Sequence, residues 1–572
     1  MNRFRKKKKE KRAMKKNVLK KFAAAALAAA TVMSSMSVMA FAADTETGTT
    51  EEKGSVTITK YMGDTGTGDT LSPGEYNGVA PTGEEYTLLQ GVEFAYVEVG
   101  ERVQVDTGEG KSLQTEIQYN VTNNAFLEAI GIKAGVGNYT QTQLNNAIKA
   151  KKNKTIEFVE ENATNSNKMS TAAESGEAKF EGLFLDKLYV FAETDAKNAA
   201  LASNATKKVN VTKVSVPFLV SLPFTGKDGN PVTELKVYPK NSTGTESIDK
   251  KIIEGNQKKE TTVANIGDTI NYEVEYSIPV TEQGLVKLVV KDTMSKGLTF
   301  DRNSIIVKNE GTEVNSTNYE VKLIKSSEGN TNITIEFNQT YCENLVKPST
   351  QNFTITYKAT LNNNAVLGKD GNTNSVTVTY QNAKDSEKTL PNKDTKVFTY
   401  GIDLTKLGEG KTPLKDVEFE LKDVTNNKVL NVKTNNDATN SYYTPDGNSS
   451  IKLTTDDKGK IYIRGLKPGT YQLTETKTNA GYVLLKDPVV IEIKDDNATG
   501  EAEASVDSKP VTMQNDQKNK DSAKAEVPLT VVNSKGFDLP ATGGRGIALF
   551  TIAGIAIVAA AGSLLFMRKR SK

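Results

Sequence analysis

Apolar and polar residues alternate in short runs along most of the chain, as in Val56-Thr57-Ile58-Thr59-Lys60 and Val417-Glu418-Phe419-Glu420-Leu421. A period of two puts one set of side chains on a buried face and the other in water, the mark of a half-buried strand. The runs are rich in Val, Ile, Thr, Tyr and Phe and are separated by Gly, Asn, Asp and Lys. This predicts an all-β chain of tandem immunoglobulin-like sandwiches. One helical exception is expected within residues 124–150, where Leu144, Ala147 and Ile148 follow the i, i+3, i+4 spacing of a buried stripe; it reads as a small insertion in the first domain. Recurring patterns place three domains at about 54–238, 245–397 and 398–535. The opening strand with Lys60, Gly91-Val92-Glu93-Phe94 and the Tyr189 to Thr194 strand return in the third domain as Ile402 to Lys406, Val417 to Leu421 and Tyr471 to Thr476, so those two domains read as divergent copies. Residues 44–53 and 514–526 are polar and are expected to be a flexible leader and a loose segment.

The two ends break the pattern. Cations run from Arg3 to Lys21, an apolar stretch from Phe22 to Met39, and Ala40-Phe41-Ala42 supplies small residues for cleavage. This is a secretory signal over residues 1–42, cut after Ala42 or Ala43. At the other end Gly546 to Met567 is an apolar stretch of 22 residues, enough at about 1.5 Å per residue to cross a hydrocarbon core of roughly 30 Å. Arg568, Lys569, Arg570 and Lys572 come next and stay on the cytoplasmic side. Leu539-Pro540-Ala541-Thr542-Gly543 stands just before the span.

The order LPxTG, span, basic tail resembles the wall-sorting signal of Gram-positive surface proteins. The resemblance implies that a sortase cysteine attacks the Thr542 carbonyl, expels the segment that begins at Gly543, and holds the chain as a thioester until another amine resolves it. Leu222-Pro223-Phe224-Thr225-Gly226 also fits the pentapeptide but lacks a span and tail, and reads as a chance match.

Composition narrows the function. The 572 residues include no His, no Trp and one Cys, Cys342, so His-based nucleophilic and metal chemistry and intrachain disulfides are excluded. Whole-chain charge is +3, but without residues 1–42 and those after Thr542 there remain 56 Lys and Arg against 69 Asp and Glu. An acidic product argues against nucleic acid as a partner.

Two further motifs resemble those of Gram-positive shaft pilins. Tyr471 to Thr476, continued by Gly481-Tyr482, is similar to the pilin E-box, departing at Thr478-Asn479-Ala480, where the family often has Ala-Pro. Val237-Tyr238-Pro239-Lys240-Asn241 matches the core of the motif whose lysine joins subunits, without the upstream Trp. That resemblance makes Lys240 the amine that resolves the Thr542 thioester of the next copy, with Pro239 restricting the backbone beside it.

Parity also aims several polar residues at apolar interiors. Lys406 falls with Ile402 and Leu404, Glu475 with Tyr471 and Leu473, and Asn533 with Val527, Leu529 and Val531. In the second domain Lys250 falls with Ile248 and Ile252, Asp292 with Val286, Leu288 and Val290, and Asn374 with Val376, Val378 and Tyr380; Lys251 and Asn372 are near alternatives. Buried this way, such groups are costly unless paired or neutralised. The two sets resemble the isopeptide triads of collagen-adhesin-like (Cna) pilin domains, A-type in the second domain and B-type in the third. The resemblance implies Lys250–Asn374 and Lys406–Asn533 amides, with Asp292 and Glu475 as proton shuttles. The bland alternative is a satisfied ion pair beside an amide. In the first domain Lys60 and Glu193 face inward, but strands from Val211 to Val220 offer no well-placed Asn, which leaves a bond in that domain open.

The resemblance thus implies a structural, non-enzymatic subunit of wall-anchored fimbriae, with no cofactor and no metal site. Its partners would be a pilus-type and a housekeeping sortase, identical subunits, minor tip and base pilins, peptidoglycan, and host matrix or glycan as an adhesion target. The alternative is a monomeric wall-anchored adhesin, and only the Lys240 motif separates the two.

Overall fold

The computed structural model describes residues 52–63, 87–106, 115–226, 229–345, 349–383, 385–436, 441–447, 449, 451–518, 522–537 and 546–569. The expected signal peptide and Leu539 to Gly543, including Thr542, lie outside the described residues.

Three β units succeed one another along the chain. In the second, Ser247–Glu254, Thr269–Val280 and Ser349–Leu361 lie side by side in one sheet, and Leu285–Met294 pairs with Asn372–Asn382 in the facing sheet. Alternation explains the core: Ile270, Tyr272, Val274, Tyr276 and Ile278 of one strand are all buried. The expected parity fails at Val286, which is exposed, because the register shifts between Leu285 and Lys287 and this irregularity turns Val286 outward.

In the third unit Tyr400–Gly408 is paired antiparallel with Lys460–Leu466 and parallel with the last strand, Glu526–Asn533. The facing sheet contains Glu418–Asp423, Gly469–Lys477 and Val489–Lys494. The first unit opens comparably. Lys53–Thr59 pairs with Glu177–Phe184, and Tyr61–Met62 pairs parallel with Lys240–Gly244, a strand that lies past the expected boundary at 238. Glu93–Asp106 and Lys187–Asp195 form another sheet of this unit.

The insertion holds helices Asn124–Ala129, Gln141–Ala150 and Lys152–Asn162. Leu144 and Ile148 are buried as the stripe predicts, and Thr140 starts the second helix with a capping box completed by Gln143. The third helix extends beyond the expected 124–150 and buries Thr155, Phe158 and Val159. From its first turn Lys152 donates to the Val214 carbonyl at 2.7 Å and to Glu282 of the second unit at 2.8 Å. The internal Leu222 to Gly226 sequence sits within the first unit with Leu222 in the core. Gly546–Lys569 forms one helix long and apolar enough to cross a membrane.

Of the stretch 514–526, expected to be loose, the described residues 514–518 and 522–526 instead join the second and third units. Arg464 binds Asp516 through both Nη atoms, and Asp516 and Ser522 are fully buried. Ser522 donates to the Leu367 carbonyl. The seam closes because a buried guanidinium demands carboxylate partners, and the polar segment supplies them. Glu526 also accepts from Arg464, at 3.2 Å, while its Oε2 is buried without a partner. Burial pushes its carboxyl up to about 8; Arg464 opposes the shift, and Asp516 and Asp403 add to it. A carboxyl whose folded value is raised contributes stability that is fully present below its unfolded range near 4.5 and lost as pH rises through about 8. Glu526→Gln is therefore expected to gain thermal stability over the wild type as pH is raised from about 5 to about 8, by at most about 1.4 kcal/mol per pH unit. Melting curves that stay parallel across that window would contradict it.

Candidate functional site

Each unit carries one buried lysine beside a carboxylate and an asparagine. In the third, Lys406 and Asn533 sit on adjacent parallel strands of one sheet. Lys406 pairs in register with Val531, two residues before Asn533. Lys406 Nζ donates to Asn533 Oδ1 and lies 3.4 Å from Glu475 Oε1, which comes from the facing sheet. Asn533 Nδ2 donates to both Glu475 oxygens at 2.9 and 3.0 Å and to Thr478 Oγ1 at 2.9 Å. Thr478, where the motif departs from the E-box pattern, thus touches the amide itself. The Leu485 amide also donates to Glu475, at 2.8 Å. Burial lowers the proton affinity of Lys406 against the opposing pull of Glu475.

The second unit places Lys250 in one sheet and Asp292 and Asn374 on paired strands of the other. Lys250 Nζ donates to Asp292 Oδ2 at 2.5 Å, beside the stacked rings of Tyr272 and Tyr357, whose centroids are each 5.6 Å away. Burial again lowers the lysine, with Asp292 opposing. The near alternatives point elsewhere. Lys251 pairs with Glu260 and Asp249 toward solvent, and the Asn372 amide is taken up by backbone groups of Val366 and Val397.

In the first unit Lys60 is fully buried and donates to Glu193 at 2.8 Å and to Ser215 at 3.3 Å. The amide missing from residues 211–220 is supplied by Asn241, whose Nδ2 lies 2.5 Å from Glu193 Oε1. Tyr61 pairs with Lys240, so Asn241 stands two residues beyond the position opposite Lys60, the same offset as in the third unit. Burial lowers Lys60, with Glu193 opposing and Lys152 adding a smaller like-charge effect. The expectation that this unit lacks an amide partner is thus replaced by a complete set. A usable signal was present: Asn241 comes directly after Lys240 in a motif read only for its lysine.

Chemically, each arrangement gathers a lysine with weakened hold on its proton, an acceptor carboxylate and a primary amide in one buried cluster. That is what amide exchange requires: a neutral amine to attack the carbonyl, and an acid to protonate the departing ammonia.

Lys240 opens its strand one residue ahead of buried Asn241. At the far end, Gly481 and Tyr482 hold the chain as it leaves the last strand. Val483 donates to the Ser534 carbonyl and Gly536 to that of Gly481, while the Tyr482 ring lies against Gly408, where a Cβ would come within 2.6 Å of it.

Tandem β units, each with a buried lysine, carboxylate and amide set, are followed by an apolar helix long enough to cross a membrane. Family models cover the chain in series: Gram-positive pilin subunit D1, N-terminal domain, over residues 51–242; Gram-positive pilin backbone subunit 2, Cna-B-like domain, over 266–384; a prealbumin-like fold domain over 401–508; and the LPXTG cell wall anchor motif over 531–572. The chain belongs to the Gram-positive pilin backbone subunits. The middle unit, read from sequence as A-type, is the one matched by the Cna-B-like model.

Among curated proteins, the trypsin-resistant surface T6 protein of Streptococcus pyogenes is 28% identical over 303 residues, 49% of this chain and 51% of that protein. The chain thus spans about half the length of that relative. Similar solved structures include the major pilin subunit of Bacillus cereus (20% identity, TM-score 0.42, 85% of this chain and 100% of that one). Another is the full-length pilus protein of Streptococcus pneumoniae (17%, TM-score 0.45, 86% and 99%).

Proposed function

We propose that this chain is the shaft subunit of a covalent surface fibre. Sortase holds it as an acyl intermediate at Thr542, and the Lys240 amine of another copy resolves that intermediate, giving a Thr542–Lys240 amide and a head-to-tail polymer that is finally joined to peptidoglycan. The fibre supports adhesion. Lys406–Asn533, Lys250–Asn374 and Lys60–Asn241 amides form once in each molecule, with Glu475, Asp292 and Glu193 moving the protons. The observation that carries the reading is the position of Lys240. It opens a strand docked on the first unit, beside a buried cluster, in a chain that ends in a wall-anchor motif.

Thr542→Ala is expected to leave the protein unprocessed in the membrane fraction, with no polymer in wall extracts. A variant still wall-linked through its own C-terminus would overturn the sorting assignment. A single wall-linked species in the wild type, in place of a ladder of covalent multiples, would favour the monomeric adhesin.

A further inference from the structure

The second unit differs from the other two in how its acid reaches the amide. In the first and third, a glutamate accepts directly from the asparagine nitrogen, at 2.5 Å in one and at 2.9 and 3.0 Å in the other. Asp292 is one methylene shorter. Among the described hydrogen bonds, Asn374 Nδ2 donates not to Asp292 but to the Tyr357 hydroxyl, at 3.0 Å. Tyr357 in turn donates to Asp292 Oδ2 at 2.5 Å, the same oxygen that Lys250 reaches. A phenol has one proton to give, and here it is committed to Asp292. The Asn374 group facing it must therefore be the NH2, the nitrogen that leaves when the amide is exchanged.

We infer that Tyr357 is a catalytic residue of the second crosslink, a hydroxyl relay that carries a proton from Asp292 to the departing nitrogen of Asn374. The inference rests on reading Lys250, Asp292 and Asn374 as a crosslinking set. Lys250 first passes one proton to Asp292 Oδ2 and attacks Asn374 Cγ as a neutral amine, forming the new C–N bond. As the old C–N bond breaks, Tyr357 gives its proton to the leaving nitrogen and takes the one on Asp292, and Asp292 recovers a proton from the Lys250 nitrogen. Ammonia departs, the Lys250 nitrogen keeps one hydrogen as an amide, and Asp292 ends protonated. The hydroxyl never has to become a free phenolate, which suits its setting: burial, the largest cause, and the neighbouring Asp292 push its ionisation well above the ordinary range.

Tyr272 provides a control. Its ring lies as close to Lys250 Nζ as that of Tyr357 and its hydroxyl is near Asn374, but among the described hydrogen bonds only the Tyr357 hydroxyl reaches Asp292, so Tyr272 cannot relay the proton.

The test uses the full-length chain as wild type, Tyr357→Phe, Tyr272→Phe and the double variant Asp292→Glu/Tyr357→Phe, sampled at intervals after synthesis. Mass spectrometry of digests tracks the Lys250–Asn374 crosslinked peptide against the Lys406–Asn533 peptide of the same sample. Tyr357→Phe is expected to slow the second crosslink by roughly 100-fold, the lower end of what positioned proton transfer contributes, and to leave the third unchanged. Tyr272→Phe is expected to match the wild type. The double variant is expected to outpace Tyr357→Phe, because a glutamate reaches the amide itself; since it keeps the Phe, its recovery separates lost chemistry from lost folding. Equal rates for Tyr357→Phe and wild type, or equal slowing in the two single variants, would overturn the relay. A wild type that never yields the Lys250–Asn374 peptide overturns the crosslinking set beneath it.

Discussion

Lys240→Arg is expected to abolish the polymer ladder while leaving a wall-linked monomer. The substitution keeps the positive charge and much of the side-chain length, so the strand Lys240–Gly244 and its pairing with Tyr61–Met62 should persist. Arginine stays protonated under any physiological condition and offers no neutral amine to a thioester, whereas a lysine placed beside one needs only to shed a proton. Thr542 is untouched, so acylation and transfer to peptidoglycan proceed. Immunoblots of wall extracts should therefore change from a ladder of covalent multiples to a single band. A normal ladder in this variant would show that another amine resolves the thioester and would sink the assignment of Lys240 as the linking residue.

The second large effect concerns mass and heat resistance. The folded chain is expected to weigh less than its sequence by one ammonia for each of three crosslinks, and Glu475→Ala should restore one ammonia. Lys406 and Asn533 are 127 residues apart. Closing so long a loop restricts the unfolded chain much as a disulfide does, by on the order of 5 kcal/mol. Glu475→Ala should thus lower the thermal stability of the third unit strongly, since it loses both the crosslink and the partner of a buried lysine. A well-folded wild type of unmodified mass would refute all three assignments.

Much of the fold and of the buried sets was readable from the sequence because a period of two is hard to disguise. Parity alone aimed Lys406, Glu475, Asn533, Lys250, Asp292 and Asn374 inward, and the structure buries all six. It misjudged Val286, because one register irregularity reverses a face without changing the composition of the strand. It missed Asn241 because the first unit closes with a strand beyond the boundary that the recurring patterns suggested, so the residue after Lys240 was taken only as part of the linkage motif. The helix Lys152–Asn162 could have been found from Thr155, Phe158 and Val159, which repeat the spacing noticed at Leu144 and Ile148. Tyr357 was beyond reach, since a tyrosine on a buried face is ordinary core until its hydroxyl is seen between an acid and an amide.

The position of the Lys240 strand has a mechanical consequence. In a fibre joined from Thr542 of one copy to Lys240 of the next, tension runs only between those two residues, and everything before Lys240 is a side branch. The two proposed crosslinks on that route would shunt residues 251–373 and 407–532 out of the loaded line. Only residues 241–249, 375–405 and 534–541 can then be drawn straight, at no more than about 3.5 Å each. Such a fibre behaves as a rope with almost no slack, and the first unit meets the load only at its closing strand, Lys240–Gly244, so that the surface before Lys240 can diverge without weakening the line.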